Sequence, residues 1–584
     1  MEINTAEPDS IPDALRNQAI DLSRPSLRLL TILDLPNELL RDILDYFADP
    51  ALERGEVEWQ NLRSWRRGVR SEKRKTIQSV RLVCRGFNNL ASPLLCPILR
   101  VDVNRASLDN AVNLSHSPGI ASGVRAICVG VQCFPEQLAN DLTQFKEFRE
   151  IKLNEVGDSC DWHLEGILLP GDGSDDEKDE DEKARTAQRV AMYQEAMSSG
   201  WTIRESWDKY VNWARNSDRF PVKAKDEYQR ILSEGYETFC QNHRKQRELL
   251  ESQSFARTLA SCMARMPNAT ALGFSDEDSV FTEYYSDPEL LLDKTLLSRF
   301  VASPLSWDEI ENADDLHLAT ARILSELPIA IHEAGVVLRD LNVGLFPCKR
   351  DQTLVCPGPG HNSLLWSKVR AACQSLRRVS FGNDLHNLPI RTSHLGPDES
   401  RHLNEYLAAL VSSRDLERVR LYTRAFGLND GRGREGHYNL SAVLADVEWP
   451  CIRDIFILSA GVTQAAVEQF FTGLGSGTVE HFQIGSFELL NDEEGERGSW
   501  ARAFDILRGK LVPQVKTVFY SECYGGEFGP RQKRDNDIYY SLNFEIPQTP
   551  RIVKDIEMYI SGASTANPLR SSEQTPIAAQ EPVK

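Results

Sequence analysis

Two apolar stripes at helical spacing occur in the first hundred residues of the chain. In each stripe, apolar residues recur three or four positions apart with polar residues between them, which is typical of an amphipathic helix. The first stripe comprises Leu39, Leu40, Ile43, Leu44 and Phe47. The second comprises Ile77, Val80, Val83, Cys84, Phe87 and Leu90. Pro36 precedes the first stripe and Pro93 follows the second, and proline is favoured in a first helical turn. The pattern predicts a small helical module.

Strand-like and helical segments alternate in the second half of the chain. Segments of the form apolar-x-x-apolar-x-apolar begin at Phe148 (FREIKL), Leu376 (LRRVSF), Leu416 (LERVRL), Ile452 (IRDIFI), Val479 (VEHFQI) and Val515 (VKTVFY). Apolar residues at helical spacing follow in segments 403–411, 467–474 and 500–511. Because a helix after a strand can cover one face of a sheet, this order predicts an α/β solenoid or a parallel α/β layer.

Side-chain alternation along a strand predicts which positions of these segments face inward. If the strands are neighbours, the inward central positions are Val379, Val419, Ile455, Phe482 and Val518. The residues one position earlier are then expected on the other face, and they are Arg378, Arg418, Asp454, His481 and Thr517.

Three segments have compositions that disfavour a packed fold. Segment 172–183 begins with DGSDDEKDEDE, whose carboxylates repel one another, so we expect an extended acidic linker. The chain ends, 1–27 and 562–584, are poor in apolar residues and are expected to be disordered.

Segment 184–266 is predicted to be a helical insert. Trp207, Tyr210 and Val211 fall on one helical face, which favours packing of that face into a core. The alternative is an exposed recognition cluster formed by Trp201, Trp207 and Trp213.

Composition narrows the function classes. The 584 residues are 41% hydrophobic and 26% charged, as in ordinary globular proteins with several cores. The N-terminus, MEINTAEPDS, lacks signal-peptide character and no run of 18 apolar residues occurs, so we expect a cytoplasmic and/or nuclear protein without membrane contact. A net charge of −19 disfavours general nucleic-acid binding, because phosphates would be repelled.

Candidate catalytic and metal-binding patterns are weak. The 12 cysteines include no C-x-x-C pair, and the one loose cluster with a histidine is Cys348, Cys356 and His361. The sequence has no G-x-S-x-G, H-E-x-x-H or G-x-x-x-x-G-K-[ST] motif. We therefore expect no intrinsic catalysis, no cofactor and no metal.

The N-terminal module closely resembles an F-box, the short three-helix module that docks a protein onto the Skp-type adaptor of a Skp–cullin–F-box ubiquitin ligase. The matching residues are Leu33, Leu35-Pro36, Glu38-Leu39-Leu40, Ile43-Leu44, Leu82-Val83-Cys84-Arg85, Phe87-Asn88 and Leu90-Ala91. The F-box would span 28–100. The sequence distance between Pro36 and Cys84 is longer than in the family, because residues 51–75 intervene as an inserted loop between helices.

This resemblance implies an adaptor-binding protein that performs no chemistry itself. Adaptor contact would be carried, in part through helix packing, by Leu35, Pro36, Leu39, Ile43, Val83, Cys84, Phe87 and Leu90. Cullin and RING subunits would join through the adaptor, and an unknown substrate protein would bind the C-terminal α/β region. The alternative is a non-ligase F-box scaffold that binds the adaptor without delivering substrates.

The C-terminal region resembles, in layout, the degenerate leucine-rich-repeat portion of many F-box proteins, particularly those of filamentous fungi. Its strand-like segments from Leu376 onward start 40, 36, 27 and 36 residues apart, whereas regular leucine-rich repeats span about 20–29 residues. The expected fold is α/β, and its parts are the three-helix F-box, a first α/β segment at 101–171, the acidic linker, the helical insert, and an irregular leucine-rich-repeat-like α/β solenoid at 267–561. An irregular α/β domain that does not propagate as a solenoid is the alternative.

Overall fold

The chain forms two compact units, Met1–Pro97 and Ile98–Lys584. A computed structural model describes residues 32–47, 69–168, 180–216, 223–276, 288–311, 316–348, 351–357, 363–382, 393–424, 426–429, 435–491, 498–528 and 550–570. The predicted disordered segment 1–27 lies outside these residues. The unit boundary also moves the end of the predicted N-terminal domain from residue 100 to residue 97, because Ile98 begins a strand of the second unit.

The described residues of the smaller unit form three short α-helices around a small core. They are α1 (Asn37–Asp45), α2 (Val69–Arg81) and α3 (Arg85–Ala91), with 3₁₀ turns at Ile32–Asp34 and Ser92–Leu94. Leu44, Ile77 and Ala91, one residue from each helix, are buried together. Partly buried apolar residues packed around them are Phe47, Val80, Leu90, Leu94 and Leu95. Both apolar stripes of the sequence thus contribute to one core.

The loop predicted at 51–75 is wrong at its C-terminal end. Residues 69–75 form the first turns of α2, while 51–68 lie outside the described residues. The segment VRSEKRKT is highly charged, but Arg, Lys and Glu are good helix formers and no proline or glycine interrupts them. Its charge therefore extends the helix instead of breaking it.

The larger unit is built on one 13-stranded sheet. Its described strands are β1 (Ile98–Asp102), β2 (Ala126–Gly130), β3 (Ala271–Ser275), β4 (Asp340–Val343), β5 (Arg378–Phe381), β6 (Ser393–His394), β7 (Arg418–Tyr422), β8 (Phe426–Asn429), β9 (Glu435–Asn439), β10 (Asp454–Leu458), β11 (Ala460–Thr463), β12 (His481–Leu490) and β13 (Thr517–Tyr524). Nine strands run parallel in the order β1-β2-β3-β4-β5-β7-β10-β12-β13, and their first residues are paired across the whole run.

The other four strands extend the second half of β12. β11 pairs in parallel with β12 and with β9, β8 is antiparallel to β9, and β6 pairs in parallel with β8.

The predicted alternation of strand side chains is confirmed. Val379, Val419, Ile455 and Phe482 are buried, and Val518 is half-buried on β13, which lies at the end of the parallel run. The five preceding residues, from Arg378 to Thr517 in the sequence prediction, are all partly or fully exposed. These five strands therefore present one apolar face and one polar face.

A layer of helices covers the apolar face. The described helices of the larger unit are α4 (Arg105–Ser115), α5 (Pro118–Ala121), α6 (Glu136–Asn140), α7 (Leu142–Leu168), α8 (Glu180–Arg215), α9 (Glu227–Glu251), α10 (Ser254–Ala264), α11 (Glu289–Leu292), α12 (Lys294–Ala302), α13 (Trp307–Glu311), α14 (Ile323–Glu333), α15 (Gln352–Val355), α16 (Ser363–Cys373), α17 (Pro397–Leu410), α18 (Ser441–Leu444), α19 (Gln464–Gly473), α20 (Trp500–Leu511) and α21 (Pro550–Ile560), with 3₁₀ turns at Ala319–Arg322 and Gly526–Phe528. Neighbouring helices pack in the order α4-α10-α14-α16-α17-α18-α19-α20-α21. Each strand of the parallel run from β2 to β13 is thus preceded in the chain by a helix of this layer, and the short α5 also lies between α4 and β2.

The strand predicted at FREIKL is wrong, because these residues lie inside α7. In the longer window, Phe145, Arg149, Leu153, Val156 and Cys160 are buried at intervals of three or four residues. A helical period that continues over several turns outweighs a three-position strand pattern.

The helical insert interrupts the sheet without ending it. Helices predicted at 184–266 are present, but α6 to α10 all lie between β2 and β3, which are adjacent parallel strands. The predicted separation of 101–171 from 267–561 is therefore wrong. Trp207 is buried and its indole N–H donates to the carbonyl oxygen of Tyr228 at 3.0 Å, whereas Trp201 is exposed and Trp213 is half-exposed.

Two segments predicted to lack structure are partly folded. Residues 180–183 of the acidic linker begin α8, where acidic residues interact favourably with the positive end of the helix dipole; 172–179 lie outside the described residues. At the other end, 562–570 pack on α20, and 571–584 lie outside the described residues. Asn567 donates to the carbonyl oxygen of Ala501 at 2.9 Å, and Leu569 is buried. Among the described helices, none combines the length and apolar character required to cross a bilayer.

Candidate functional site

Helix α1 presents two apolar faces. Leu40 and Leu44 point into the core of the smaller unit. Leu39 and Ile43, each one position earlier, remain 49% and 43% exposed. Residues four apart lie on the same side of a helix, so these two side chains form one exposed stripe. Tyr46 continues the stripe after the last turn and is also exposed.

The N-terminal end of α1 extends this surface. Leu35 and Pro36 are both exposed, and the N–H of Leu35 donates to the carbonyl oxygen of Ile32 at 3.3 Å. The carbonyl oxygen of Pro36 accepts the first helical hydrogen bond, from the N–H of Leu40, at 3.1 Å. Pro36 therefore fixes where the helix begins, and Leu35 lies directly before it.

The turn between α2 and α3 adds two exposed apolar side chains. Leu82 and Val83 are 87% and 63% exposed. Cys84 then caps α3, because its Sγ accepts the N–H of Phe87 at 3.4 Å. Phe87 is buried, and Leu90 is half-buried against the core.

The eight residues predicted for adaptor contact fall into two groups. The exposed group consists of Leu35, Pro36, Leu39, Ile43 and Val83. The packed group consists of Cys84, Phe87 and Leu90. The exposed residues are available for contact, while the packed residues support the helices. Tyr46 and Leu82 are exposed apolar residues that the prediction did not include, although Tyr46 lies seven positions after Leu39 and Leu82 belongs to the matching motif.

Folded domains rarely expose this much apolar surface without a binding role. Large exposed apolar patches usually mark interaction sites, whereas single exposed apolar side chains need no explanation. Here seven large exposed apolar side chains, including Ile32, belong to one helix, its N-terminal turn and one inter-helix turn. The smaller unit therefore carries a candidate protein-binding surface.

The second candidate region is the polar face of the sheet, which we call the open face. Across the described strands it carries Arg378, Arg418, Asp454, His481 and Thr517 in one paired row. Two ion pairs join neighbouring strands there. Arg378 donates to both carboxylate oxygens of Asp340 on β4, with Nη2 and Oδ2 at 2.9 Å. Arg418 donates from Nε to Oδ2 of Asp454 at 2.8 Å.

A second paired row on the open face combines one arginine with two phenylalanines. Arg420, Phe456, Gln483 and Phe519 occupy neighbouring strands at the same level, and we call them the open-face row. Phe519 is 46% exposed, and the Phe456 ring centroid lies 4.9 Å from that of Tyr422. Within the described part of the chain, no ion pair or hydrogen bond involves the guanidinium of Arg420. Arginine and aromatic residues are the types enriched in protein interfaces.

The sequence predicted the face of this row but not the row itself. Arg420, Phe456, Gln483 and Phe519 lie two residues after the outward positions predicted for their strands, so alternation places them on the same side. Their exposure could not be read from the sequence, because it depends on which of the two sheet faces the helices cover.

Buried thiols of the larger unit are poor nucleophiles. Burial raises the pKa of the Cys133 thiol to about 11 and that of Cys373 to about 12. Both are therefore protonated at neutral pH, whereas the thiolate is the reactive form. No group of three metal-binding side chains gathers within the described ranges, and His361 of the loose cysteine cluster lies outside them.

Comparison of the chain with family models, with curated proteins and with solved structures gave no match. Function must therefore be inferred from the residues of this chain.

Proposed function

We propose that this chain is the substrate-recognition subunit of a Skp–cullin–F-box ubiquitin ligase. The observation that carries the proposal is the exposed apolar stripe of α1, which occurs within a sequence that resembles an F-box. The adaptor would cover Leu35, Leu39, Ile43 and Tyr46, together with Leu82 and Val83 of the inter-helix turn.

Covering the exposed surface would contribute several kcal/mol to binding. Complete burial of a leucine-sized side chain contributes about 1.5–3 kcal/mol. Since Leu39 and Ile43 are each roughly half exposed, covering both would contribute about 2 kcal/mol. The other four exposed side chains would add several kcal/mol more, which is needed to offset the entropy lost on association.

In this proposal the larger unit is a degenerate leucine-rich-repeat-like solenoid that holds the target. The support is the repetition of one parallel strand and one covering helix over nine strands. The repeat is irregular, since the paired residues Arg378, Arg418, Asp454, His481 and Thr517 are 40, 36, 27 and 36 positions apart. In repeat proteins, an extended surface of this kind commonly binds a partner.

The chain would act by positioning and would perform no bond-forming chemistry. It would hold a target lysine close to a ubiquitin-charged conjugating enzyme that is recruited through the adaptor, the cullin and the RING subunit. The rate gain would come from the raised effective concentration of the two reacting groups.

Co-purification of the full-length chain from cells tests the adaptor contact. The wild-type chain should retain a Skp-type adaptor and a cullin, whereas the Leu39→Glu/Ile43→Glu variant should lose both. Because these side chains are exposed in the smaller unit, the circular dichroism melting curve should change little. Ile151→Glu is the matched control, since Ile151 is also an exposed apolar residue of a helix but lies on α7.

A ubiquitination assay on the purified complex then separates the two F-box functions. A partner protein captured by the wild-type chain should receive ubiquitin when the conjugating enzyme and ATP are added. Adaptor and cullin binding without ubiquitination of any captured partner would instead support the non-ligase scaffold. Absence of the adaptor from the wild-type chain would contradict both.

A further inference from the structure

The open-face row indicates the chemistry of the target segment. We propose that the sheet binds an extended segment of the target in which one Asp or Glu carboxylate pairs with Arg420, while apolar side chains two and four positions away contact Phe456 and Phe519. This inference rests on the proposed function, in which the larger unit holds a target protein.

Arg420 supplies a positive charge that no side chain in the described part of the sheet neutralises. The other two arginines of this region, Arg378 and Arg418, are each paired with an aspartate on the next strand. A guanidinium has five N–H donors in a planar fork that fits the two oxygens of a carboxylate. Among the described residues of these two rows, Arg420 is therefore the arginine that is available to an anionic ligand.

The charge balance favours a carboxylate over a phosphate. With Arg378 and Arg418 each paired with an aspartate, Arg420 is the arginine of these two rows that has no ion pair among the described residues. An Asp or Glu side chain carries one negative charge, whereas a phosphoserine carries about 1.5–2 at neutral pH. A second negative charge on the ligand would meet no further unpaired arginine in the described part of these two rows.

Strand spacing defines the separation of the ligand's side chains. Neighbouring strands are about 4.8 Å apart, so Phe456 lies about 5 Å and Phe519 about 14 Å from Arg420 along the open-face row. An extended peptide advances about 3.3 Å per residue and presents every second side chain to the same side. If it crosses the strands along the row with its acid at Arg420, positions two and four residues away fall about 7 and 13 Å further on.

These distances predict the pattern acid-x-apolar-x-apolar. The second ligand side chain would reach the edge of Phe456, and the third would reach Phe519, which is 46% exposed and is the most exposed member of the row. Gln483 lies between the two phenylalanines, and its amide can bond the peptide backbone there.

Selection from a displayed library of random 12-residue peptides on the immobilised full-length chain tests this inference. We expect enrichment of Asp or Glu followed or preceded by apolar residues two and four positions away. A selected peptide, measured by fluorescence anisotropy, should lose at least tenfold in affinity on Arg420→Gln and on replacement of its acid by Asn or Gln. The two changes together should cost little more than either alone. Arg420→Lys should retain part of the affinity.

Control variants separate this contact from general charge effects. Arg414→Gln removes an exposed arginine that pairs with Glu448 outside the open face, and it should leave peptide affinity unchanged. Phe519→Ala should weaken peptides that carry the distal apolar residue and should not affect peptides that lack it. Unchanged circular dichroism melting curves would establish that each variant is folded.

Three results would overturn the inference. The first is that no peptide is selected above the level found on an unrelated immobilised protein. The second is that the selected peptides lack an acidic residue or bind equally well to the Arg420→Gln variant. The third is that a peptide binds more tightly when its acidic residue is replaced by phosphoserine. The assay contains no adaptor. A chain that selects acidic peptides but binds no adaptor would refute only the ligase proposal, whereas adaptor binding without peptide selection would refute only this inference.

Discussion

Substitution of Ile455 by Asp tests whether the helices bury one face of the sheet. Ile455 is 2% exposed and lies between Val419 and Phe482 on the neighbouring strands. Its predecessor Asp454 points to the open face, where it accepts a hydrogen bond from Arg418. The two positions are consecutive in one strand, so they differ mainly in the face that each side chain occupies.

The expected loss at Ile455 combines two contributions. Removing the buried isoleucine side chain costs about 1.5–3 kcal/mol. A buried aspartate without a partner would be protonated, and protonating a group of ordinary pKa near 3.9 at pH 7 costs about 4 kcal/mol. The total is about 6 kcal/mol. Asp454→Ala loses a partly exposed ion pair, which contributes about 1 kcal/mol or less.

Urea denaturation at two pH values measures both contributions. Burial raises the folded-state pKa of the new carboxyl group above its unfolded-state value near 3.9, so the destabilisation is greatest above the folded-state pKa and decreases as the pH falls towards the unfolded-state pKa. The penalty of Ile455→Asp should therefore be about 2–3 kcal/mol smaller at pH 5 than at pH 7. Ile455→Val, expected to cost about 0.5–1.5 kcal/mol, provides a measurable variant if the aspartate prevents folding. Equal losses at positions 454 and 455, or a penalty independent of pH, would refute one-sided burial.

Two further variants test contacts that only the structure revealed. Arg149→Ala should lower the free energy of unfolding by about 3–5 kcal/mol, because this buried guanidinium lies over three phenyl rings and interacts with Glu309. Adding Glu309→Gln should restore part of the loss in urea titrations, and no recovery would exclude coupling of the two charges. Asp505→Asn should accelerate amide hydrogen exchange in 550–570, because the carboxylate accepts hydrogen bonds from that segment. Burial alone would raise the pKa of Asp505, but these hydrogen bonds outweigh burial and hold the pKa below 3.8. The protection of amides against hydrogen exchange should therefore be equal at pH 5 and pH 7 after correction for intrinsic rates. It should decline only below about pH 4.

The sequence predicted the C-terminal half of the sheet more successfully than the N-terminal half. Strand-like motifs predicted β5, β7, β10, β12 and β13, because apolar and polar residues alternate in these five strands. Strands β2 and β3 escaped this pattern, because their residues are nearly all buried and both faces are therefore apolar or small. The adjacency of β2 and β3 was also hidden, since about 140 residues separate them along the chain.

The candidate sites were likewise predicted only in part from the sequence. The apolar stripes of α1 follow directly from residues at helical spacing, but periodicity does not reveal that Leu40 and Leu44 are covered while Leu39 and Ile43 are not. Likewise, alternation assigns the residues of the open-face row to one side of the sheet, but only the strand order shows that Arg420 and the two phenylalanines lie in one row. Tertiary arrangement, which depends on contacts distant in sequence, supplied the missing information.

Direct binding of the purified full-length chain to a purified Skp-type adaptor tests the central claim. Isothermal titration calorimetry should show one saturable site with a negative heat-capacity change, because apolar surface is removed from water. Leu39→Glu/Ile43→Glu should weaken binding by at least a hundredfold, equivalent to about 2.7 kcal/mol, and Ile151→Glu should bind like the wild type. A wild-type chain without measurable affinity for the adaptor, or a Leu39→Glu/Ile43→Glu variant with unchanged affinity, would contradict the claim that the exposed face of α1 is the adaptor site.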